Sequence, residues 1–266
     1  MTDMQYKGAV FFDYDGTLTD EHADILMPTA ATRDAIRKLR ENGYLAILAT
    51  GRALPYIYDT GVEFDGMSTS NGTYGVVAGE VVFDHPIEDD ALVRLTRRMD
   101  EMGINYGIDN PVICYAADNT ESRFLGWINK FNIKAESYRR IEPGVPFKGY
   151  KFSILFDSYD QVEQLRAEFG EEFEFACHRI FYYADVNIRA YSKATGVKAI
   201  CEHFNIPIEN TYAFGDGSND YEMLRCAGHG VAMGHHAEVL EECAEFITKT
   251  VSEEGIEFGL KHYGLI

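Results

Sequence analysis

Residues 8–17 read GAVFFDYDGT, and this stretch decides the fold. Gly8 to Phe12 is a continuous apolar run without alternation, the pattern of a strand buried on both faces of a parallel sheet. Polarity then switches abruptly at Asp13-Tyr14-Asp15-Gly16, so the strand delivers carboxylates to a loop at its carboxyl end. Working outward, Thr29 to Asn42 carries Ala35, Ile36 and Leu39 on one helical face, with Gly43 as its C-cap. Tyr44 to Ala49 is a second apolar strand, ending in Thr50-Gly51-Arg52, and a third strand is predicted near Met67 to Ser70. Strands alternating with helices predict an α/β fold built on a doubly wound parallel sheet.

The rhythm changes after Asn71-Gly72. Tyr74 to Phe83 reads as a hairpin turning at Ala78-Gly79. Beyond it, helices are predicted near Asp89 to Met102, Glu121 to Phe131 and Tyr159 to Phe169, interleaved with short strands rich in Tyr, Phe, Ile and Val. The α/β rhythm returns with a helix at Lys193 to Phe204, a strand at Thr211 to Phe214 and a helix over Asn219 to Cys226. Gly230 to Met233, a helix near Ala237 to Cys243 and a closing helix after Ser252 complete the chain. The expected organisation is a Rossmann-like core of residues 1–83 and 187–266 carrying an inserted α+β cap of residues 84–186.

The bulk properties fit that plan and remove several functions. A chain of 266 residues, 46% hydrophobic and 25% charged, can bury the core of a large domain with a smaller one attached. No apolar run approaches the roughly 18 to 20 residues of a membrane span, and no signal-peptide pattern opens the chain, so a cytoplasmic enzyme without a membrane partner is expected. The five cysteines have no CxxC spacing, which argues against a disulfide framework or a zinc site. A formal charge of -19 without a local Lys/Arg cluster repels nucleic acid, leaving small molecules as partners.

Three apolar strands end in polar clusters: Asp13-Tyr14-Asp15-Gly16-Thr17, Thr50-Gly51-Arg52 and Gly215-Asp216-Gly217-Ser218-Asn219-Asp220. Ligands of open α/β sheets bind outside the carboxyl ends of strands, so these clusters should converge. The first and third bring together four carboxylates, whose crowding calls for a cation; all-oxygen ligands favour a hard ion such as Mg2+. Asp13 and Asp15, two residues apart on one loop, can sit in different environments and take different protonation roles. One serves as a nucleophile beside the metal and the other as proton donor to a departing alkoxide, which is phosphoryl transfer through an aspartyl-phosphate. Thr17 and Thr50 offer hydroxyls, Gly16 and Gly51 let backbone N–H groups approach phosphate oxygens, and Lys193 adds a point charge.

With these motifs in view, the chain resembles the haloacid dehalogenase superfamily. DYDGT, ATGR, a lysine opening a later helix and GDGSND occur in that superfamily's order. At about 5 to 7% usage per residue type, a DxDGT match alone arises by chance in roughly one chain in several hundred; four ordered motifs do not. Ser70-Asn71-Gly72 and GSNDYEMLRCAGHGVAMG are similar to the Cof-type branch, whose cap is an α+β insert between the second and third motifs. The resemblance implies a Mg2+-dependent phosphatase with Asp13 as nucleophile, Asp15 as general acid/base, Thr50 on the phosphate and Lys193 steadying both. It implies metal ligation by Asp13, the main chain at Asp15 and Asp216, with Asp220 as a supporting carboxylate and Asn219 and Asn71 lining the phosphate site. Tyr14 stands where an aliphatic residue is usual, Ala194 where glycine follows the lysine, and His235 where asparagine is common.

Other functions would require different residues at these positions. Calcium loops counted from Asp216 or Asp13 put Ala227 where the glutamate belongs or Leu18 where the glycine belongs. A dinucleotide motif fails because Asp220 takes the third glycine position. A phosphomutase would share every catalytic group but lacks an arginine-rich cap signature here, and a phospho-acceptor receiver domain would be about half this length. The substrate is expected to be a small phosphorylated metabolite, such as a sugar phosphate or a phosphorylated cofactor. Specificity is expected from the insert, with Arg139, Arg140, His178, Arg179 and Tyr182 as candidates. Arg52 fits a substrate role or a surface ion pair equally.

Overall fold

The computed structural model describes residues 6–178 and 182–266. The chain divides into two compact units, one of Met1–Gly51, Asp59–Asp84 and Ser192–Ile266, the other of Arg52–Tyr58 and His85–Tyr191. In chain order the first unit begins with β1 (Gly8–Phe12), α1 (Ala30–Glu41), β2 (Tyr44–Ala49), β3 (Gly66–Thr69), β4 (Tyr74–Val77) and β5 (Glu80–Asp84). The second unit holds α2 (Asp89–Glu101), β6 (Asn105–Ile108), β7 (Cys114–Ala116), α3 (Ser122–Lys130), β8 (Tyr138–Arg140), β9 (Phe152–Leu155), α4 (Tyr159–Phe169), β10 (Phe173–His178) and β11 (Tyr183–Ile188). The chain returns to the first unit for α5 (Lys193–His203), β12 (Thr211–Gly215), α6 (Tyr221–Cys226), β13 (His229–Ala232), β14 (Phe246–Ile247) and α7 (Gly255–His262).

The first unit is built on one sheet in the order β14-β13-β12-β1-β2-β3-β4-β5, parallel from β14 to β3 and closed by the antiparallel hairpin β4–β5. All five residues of β1 are buried because it lies between β12 and β2 with both faces covered. On one face Ala9, Phe11, Leu45, Ile47 and Ala213 pack with Val197, Ile200 and Met223 of α5 and α6. On the other, Phe12 stacks on Phe214 with ring centroids 5.4 Å apart. Each fully buried aliphatic or aromatic side chain of this kind contributes about 1.5 to 3 kcal/mol, which fixes β1 as the sheet's centre. Helix α1 starts where the Thr29 hydroxyl accepts the Thr32 N–H at 3.1 Å, and it buries Ala35, Ile36 and Leu39.

The second unit has its own sheet, β10-β11-β9-β6-β7-β8, antiparallel except for the β7–β8 pair. Period-two alternation gives that sheet two characters. One face is apolar: Tyr106, Ile108, Phe152, Ile154, Ala184 and Val186 meet Leu92, Leu95 and Met99 of α2 and Val162, Leu165 and Phe169 of α4. The other face is apolar where Phe124, Trp127 and Ile128 of α3 pack with Cys114, Ala116, Tyr138, Leu155 and Tyr183, together with Ala53 and Tyr56. Elsewhere on it, charge replaces carbon.

Two elements differ from the sequence reading. The helix predicted near Ala237 to Cys243 is a 3-10 helix over Glu238–Glu242, with bonds such as Cys243 N–H to the Leu240 carbonyl spanning three residues. The helix predicted from Asn219 opens as a 3-10 turn over Ser218–Asp220, and α6 proper begins at Tyr221, because the Asp220 side chain is drawn back onto its own loop. Residues 52–58 and 187–191 group with the second unit rather than the first. Among the described residues no helix is long and apolar enough to cross a membrane.

Candidate active site

Because β12, β1, β2 and β3 are parallel neighbours, their carboxyl ends set four loops side by side: Asp216 after β12, Asp13 after β1, Thr50 after β2 and Ser70-Asn71 after β3. Backbone bonds lace these loops together. Asp13 N–H donates to the Phe214 carbonyl at 2.9 Å, Thr50 N–H to the Ser68 carbonyl at 2.9 Å and Asn71 N–H to the Thr50 carbonyl at 3.1 Å. Asp13 and Thr50 are buried at 5% and 1% exposure, so their side chains are fixed before any ligand arrives. Gly16, at φ +89°, is a position where a Cβ would fall 2.1 Å from Asp216 Oδ2. Only glycine lets the loops after β1 and β12 come this close. The Thr17 hydroxyl donates to Asp216 Oδ1 at 3.1 Å, so this threonine orients a carboxylate of the neighbouring loop.

Lys193 reaches the cluster from the first residue of α5. The Thr195 hydroxyl accepts the Ser192 N–H at 3.1 Å and donates to the Ser192 carbonyl at 2.7 Å, closing the helix start around the lysine. Ser70, Asn71 and Gly72 all have positive φ (48°, 55° and 84°), and a Cβ on Gly72 would lie 2.0 Å from the Ser192 carbonyl oxygen. A strained three-residue turn is thereby wedged against the base of α5. The Lys193 ammonium is hydrogen-bonded to Asp13 Oδ1 and, at 2.6 Å, to Asp220 Oδ1. The second oxygen of Asp220 accepts the N–H groups of Asp216 and Gly217 at 3.0 and 2.9 Å. Asp220 is therefore spent on holding the lysine and the loop.

Side-chain oxygens of Asp13, Asp216 and Asp220 lie within 4.8 Å of one another. Burial, reinforced by Asp220, Asp216 and Asp15, pushes the Asp13 carboxyl well above its ordinary value despite Lys193. Burial and Asp220 push Asp216 up to about 7, against the opposing pull of Thr17 and Lys193. Lys193 is desolvated, yet Asp13 and Asp220 outweigh burial and hold its ammonium more firmly protonated than usual. The cluster thus carries more negative charge than one ammonium can balance. Its all-carboxylate donor set and that surplus fit a hard divalent cation.

The other predicted residues fall in several places. Asp15 is exposed on the same loop, where its neighbour Gly16 donates its N–H to the Thr19 carbonyl at 2.8 Å. The Asn71 carboxamide lies against Gly51, and Asn219 is exposed beside Gly217. In the second unit Arg52 donates to the Phe131 carbonyl at 3.4 Å, Arg139 and Arg140 are exposed on β8, and Tyr182 is exposed beside Phe156 and Tyr159. His178 meets Asp185 through Nε2 at 3.1 Å. Arg179 lies outside the described residues. Sequence reading passed over Asp109, Lys151 and Asp185, which the second sheet brings together; the one available signal was a lysine alternating with apolar residues in Tyr150-Lys151-Phe152-Ser153.

Comparison with known proteins matches residues 10–260 to the haloacid dehalogenase-like hydrolases. The chain belongs to this family. As a haloacid dehalogenase-like hydrolase it is 30% identical to the Bacillus subtilis protein YkrA, which carries a phosphatase's name, over 97% of this chain and 98% of that one. A crystal structure of a protein from Geobacillus kaustophilus HTA426 superposes with a TM-score of 0.85 at 30% identity, covering 97% of this chain and 99% of that chain. The HAD subclass IIB sugar phosphatase BT4131 gives a TM-score of 0.83 at 25% identity, covering 97% of this chain and 100% of that chain. The enzyme is accordingly of the phosphoric monoester hydrolase class.

Proposed function

We propose that the chain is a Mg2+-dependent phosphatase of small phosphorylated metabolites that works by transferring the phosphoryl group to Asp13. The observation that carries this reading is the Lys193 ammonium held between Asp13 and Asp220, with Asp216 completing a buried cluster of surplus negative charge at the ends of β1 and β12. The metal would be held by Asp13, Asp216 and the main chain at Asp15, with Asp220 supporting the loop. Bound there, Mg2+ supplies charge neutralisation and Lewis-acid polarisation of the phosphoryl group.

The chain's own residues do the rest. Asp13 Oδ attacks phosphorus while the ester P–O bond breaks, and Lys193 holds the attacking carboxylate in line. Asp15, exposed at the rim of the same loop, gives its proton to the departing alkoxide. It then takes a proton from the water that cleaves the aspartyl-phosphate, which releases inorganic phosphate and restores the Asp13 carboxylate. Thr50, Gly51, Asn71 and Asn219 supply hydrogen-bond donors for the phosphoryl oxygens, and Thr17 keeps Asp216 in place. The test is release of inorganic phosphate from a panel of phosphorylated metabolites and an aryl phosphate. Turnover should need Mg2+ and fall by a factor on the order of 100 or more in chelator. Undiminished turnover in chelator would remove the metal from the reading.

A further inference from the structure

Helix α1 of the first unit carries a concentration of charge opposite in sign to the chain's own. Arg33, Arg37 and Arg40 stand at i, i+4 and i+7, so the helix sets their side chains on one face, beside the buried stripe of Ala35, Ile36 and Leu39. Interleaved with those apolar residues and Asp34 in the sequence, they gather only when the helix forms. Residues 61–63 run alongside them. A Cβ on Gly61, at φ +65°, would fall 3.0 Å from Arg33 Cδ, and Glu63 accepts from Arg40 Nη1 at 3.0 Å. Between helix and segment lies a hollow of about 350 Å3, within the size range of small-ligand sites.

The three guanidiniums are not equally engaged. Arg40 is anchored: its Nε donates to Asp65 Oδ1 at 3.0 Å, and Asp65 Oδ2 accepts the Ala46 N–H at 2.9 Å. Arg37 pairs with Asp34 and Glu41 at 2.5 Å, but all three side chains are about half exposed, and such pairs are worth about 0 to 1 kcal/mol. Half-buried Arg33 gives Nη1 to the Pro28 carbonyl at 2.7 Å, and among the described residues no carboxylate pairs with it, although the chain has 43 Asp and Glu to 24 Lys and Arg. Its Nε and Nη2 edge is left over, the planar fork that matches two oxygens of one anion. Three arginines against Asp34 and Glu63 leave the lining with surplus positive charge. The formal charge of -19 does not cancel it, because at physiological ionic strength charges beyond about 8 Å are largely screened.

We propose that this groove is a second anion site, which binds the dianion of a phosphate group without a metal. Arg33 takes two of its oxygens through the free fork, and Arg37 turns from Asp34 onto a third. A carboxylate would satisfy Arg33 but leave nothing for Arg37, so the arrangement favours a tetrahedral dianion over a planar monoanion. Inorganic phosphate and the phosphate end of an ester share this chemistry. The proposal is independent of the phosphatase reading, because the cluster of Asp13, Asp216 and Asp220 repels phosphate unless a cation is bound there.

The experiment is calorimetric titration of the full chain in chelator with inorganic phosphate, glycerol 3-phosphate and acetate. Wild type should bind one phosphate with a dissociation constant on the order of 1 mM or below, and acetate more weakly. Arg33→Ala should weaken phosphate binding by about 10-fold or more, and Arg33→Lys, which keeps the charge but not the fork, should recover part of it. Asp34→Asn, which releases Arg37, should tighten binding by about 2- to 5-fold. Tighter binding of the ester than of inorganic phosphate assigns the groove to a phosphorylated metabolite, and the reverse order assigns it to the free ion. Thermal unfolding run in parallel identifies any variant that fails to fold, and Arg37→Ala, on an exposed side chain, carries the test if Arg33→Ala does. No binding at about 10 mM phosphate, binding that survives both arginine variants, or acetate bound as tightly as phosphate would overturn the proposal. So would phosphate binding that is lost in Asp216→Asn and kept in Arg33→Ala, since the anion would then sit at the carboxylate cluster.

Discussion

Each unit buries one lysine between two aspartates, and the two clusters behave oppositely. In the first unit Lys193 bridges Asp13 and Asp220, and a third carboxylate, Asp216, joins them. The result is a carboxyl at Asp13 well above its ordinary value and one at Asp216 pushed up to about 7, burial leading in both cases. In the second unit Lys151 bridges Asp109 and Asp185, the extra partner is an imidazole, and Asp185 is held below the ordinary carboxylate range in spite of burial. One additional carboxylate against one additional imidazole reverses the sign. The first cluster is poised to take up positive charge; in the second, the lysine and imidazole already present keep Asp185 ionised. A buried ion pair is thus not a kind of site in itself, and its chemistry follows from what the third partner brings.

The largest break in this symmetry should come from removing one equivalent carboxylate charge in each cluster. Asp13→Asn keeps the shape but not the nucleophile, so kcat should fall by about three orders of magnitude or more on every ester, measured as phosphate release. A residual rate above roughly a tenth of wild type would end the aspartyl-phosphate mechanism.

A second test uses pH to separate the clusters without reference to turnover. Asp216 has a folded-state value of about 7 against an ordinary 3.8, so between those pH values the folded protein binds more protons than the unfolded chain. Its stability contribution is complete below about pH 4 and declines as pH rises to about 7, by about 2 to 4 kcal/mol. Asp185 has the opposite sign: its contribution holds above the ordinary carboxylate range and is lost only on acidification below it. Urea unfolding of metal-free protein should therefore show stability falling from pH 5 to pH 7.5, a slope that Mg2+ flattens and Asp216→Asn reduces, Asp13 supplying the remainder. A flat profile in metal-free protein would mean the first cluster is balanced after all.

The smallest effect expected is at the base of α5. Thr195→Val keeps the shape while losing the hydroxyl that meets the Ser192 N–H and carbonyl, and should cost about 0.5 to 1.5 kcal/mol, or roughly 2 to 4 °C in Tm. A calorimetric scan that shows no shift would mean Lys193 is held by its carboxylates alone.

What could be read in advance divides along the same line. β1, β2 and β12 announced themselves because a doubly covered parallel strand must be apolar throughout, and each polar cluster began at the residue where the strand stopped. The first unit's charges are therefore local punctuation in the sequence. In the second unit Asp109 directly follows β6, Lys151 directly precedes β9 and Asp185 lies on β11, and the three become neighbours only through antiparallel pairing of those strands, which no local pattern records. His178 was legible as a polar residue beside a strand end, but not its partner. The direction of the Thr17 hydroxyl, toward Asp216, likewise depends on how closely Gly16 lets two loops approach. Over residues 238–242 a helix was legible but not its 3-10 type, because three glutamates around Val239 and Leu240 carry helical propensity while Leu240 alone is buried.

Residues 52–58 make the second unit discontinuous, and this bears on whether it can be moved. The segment leaves the first unit directly after Gly51, contributes Ala53 and Tyr56 to the aromatic cluster beneath α3, and gives Asp109 its hydroxyl partner before the chain turns back. A fragment cut as residues 85–191 would look complete on a linear map yet lack the piece that closes its charged face. Any graft of this unit onto another hydrolase must carry the seven-residue strap along with it. The smallest portable unit is two segments of sequence, and exchange by a single crossover would break it.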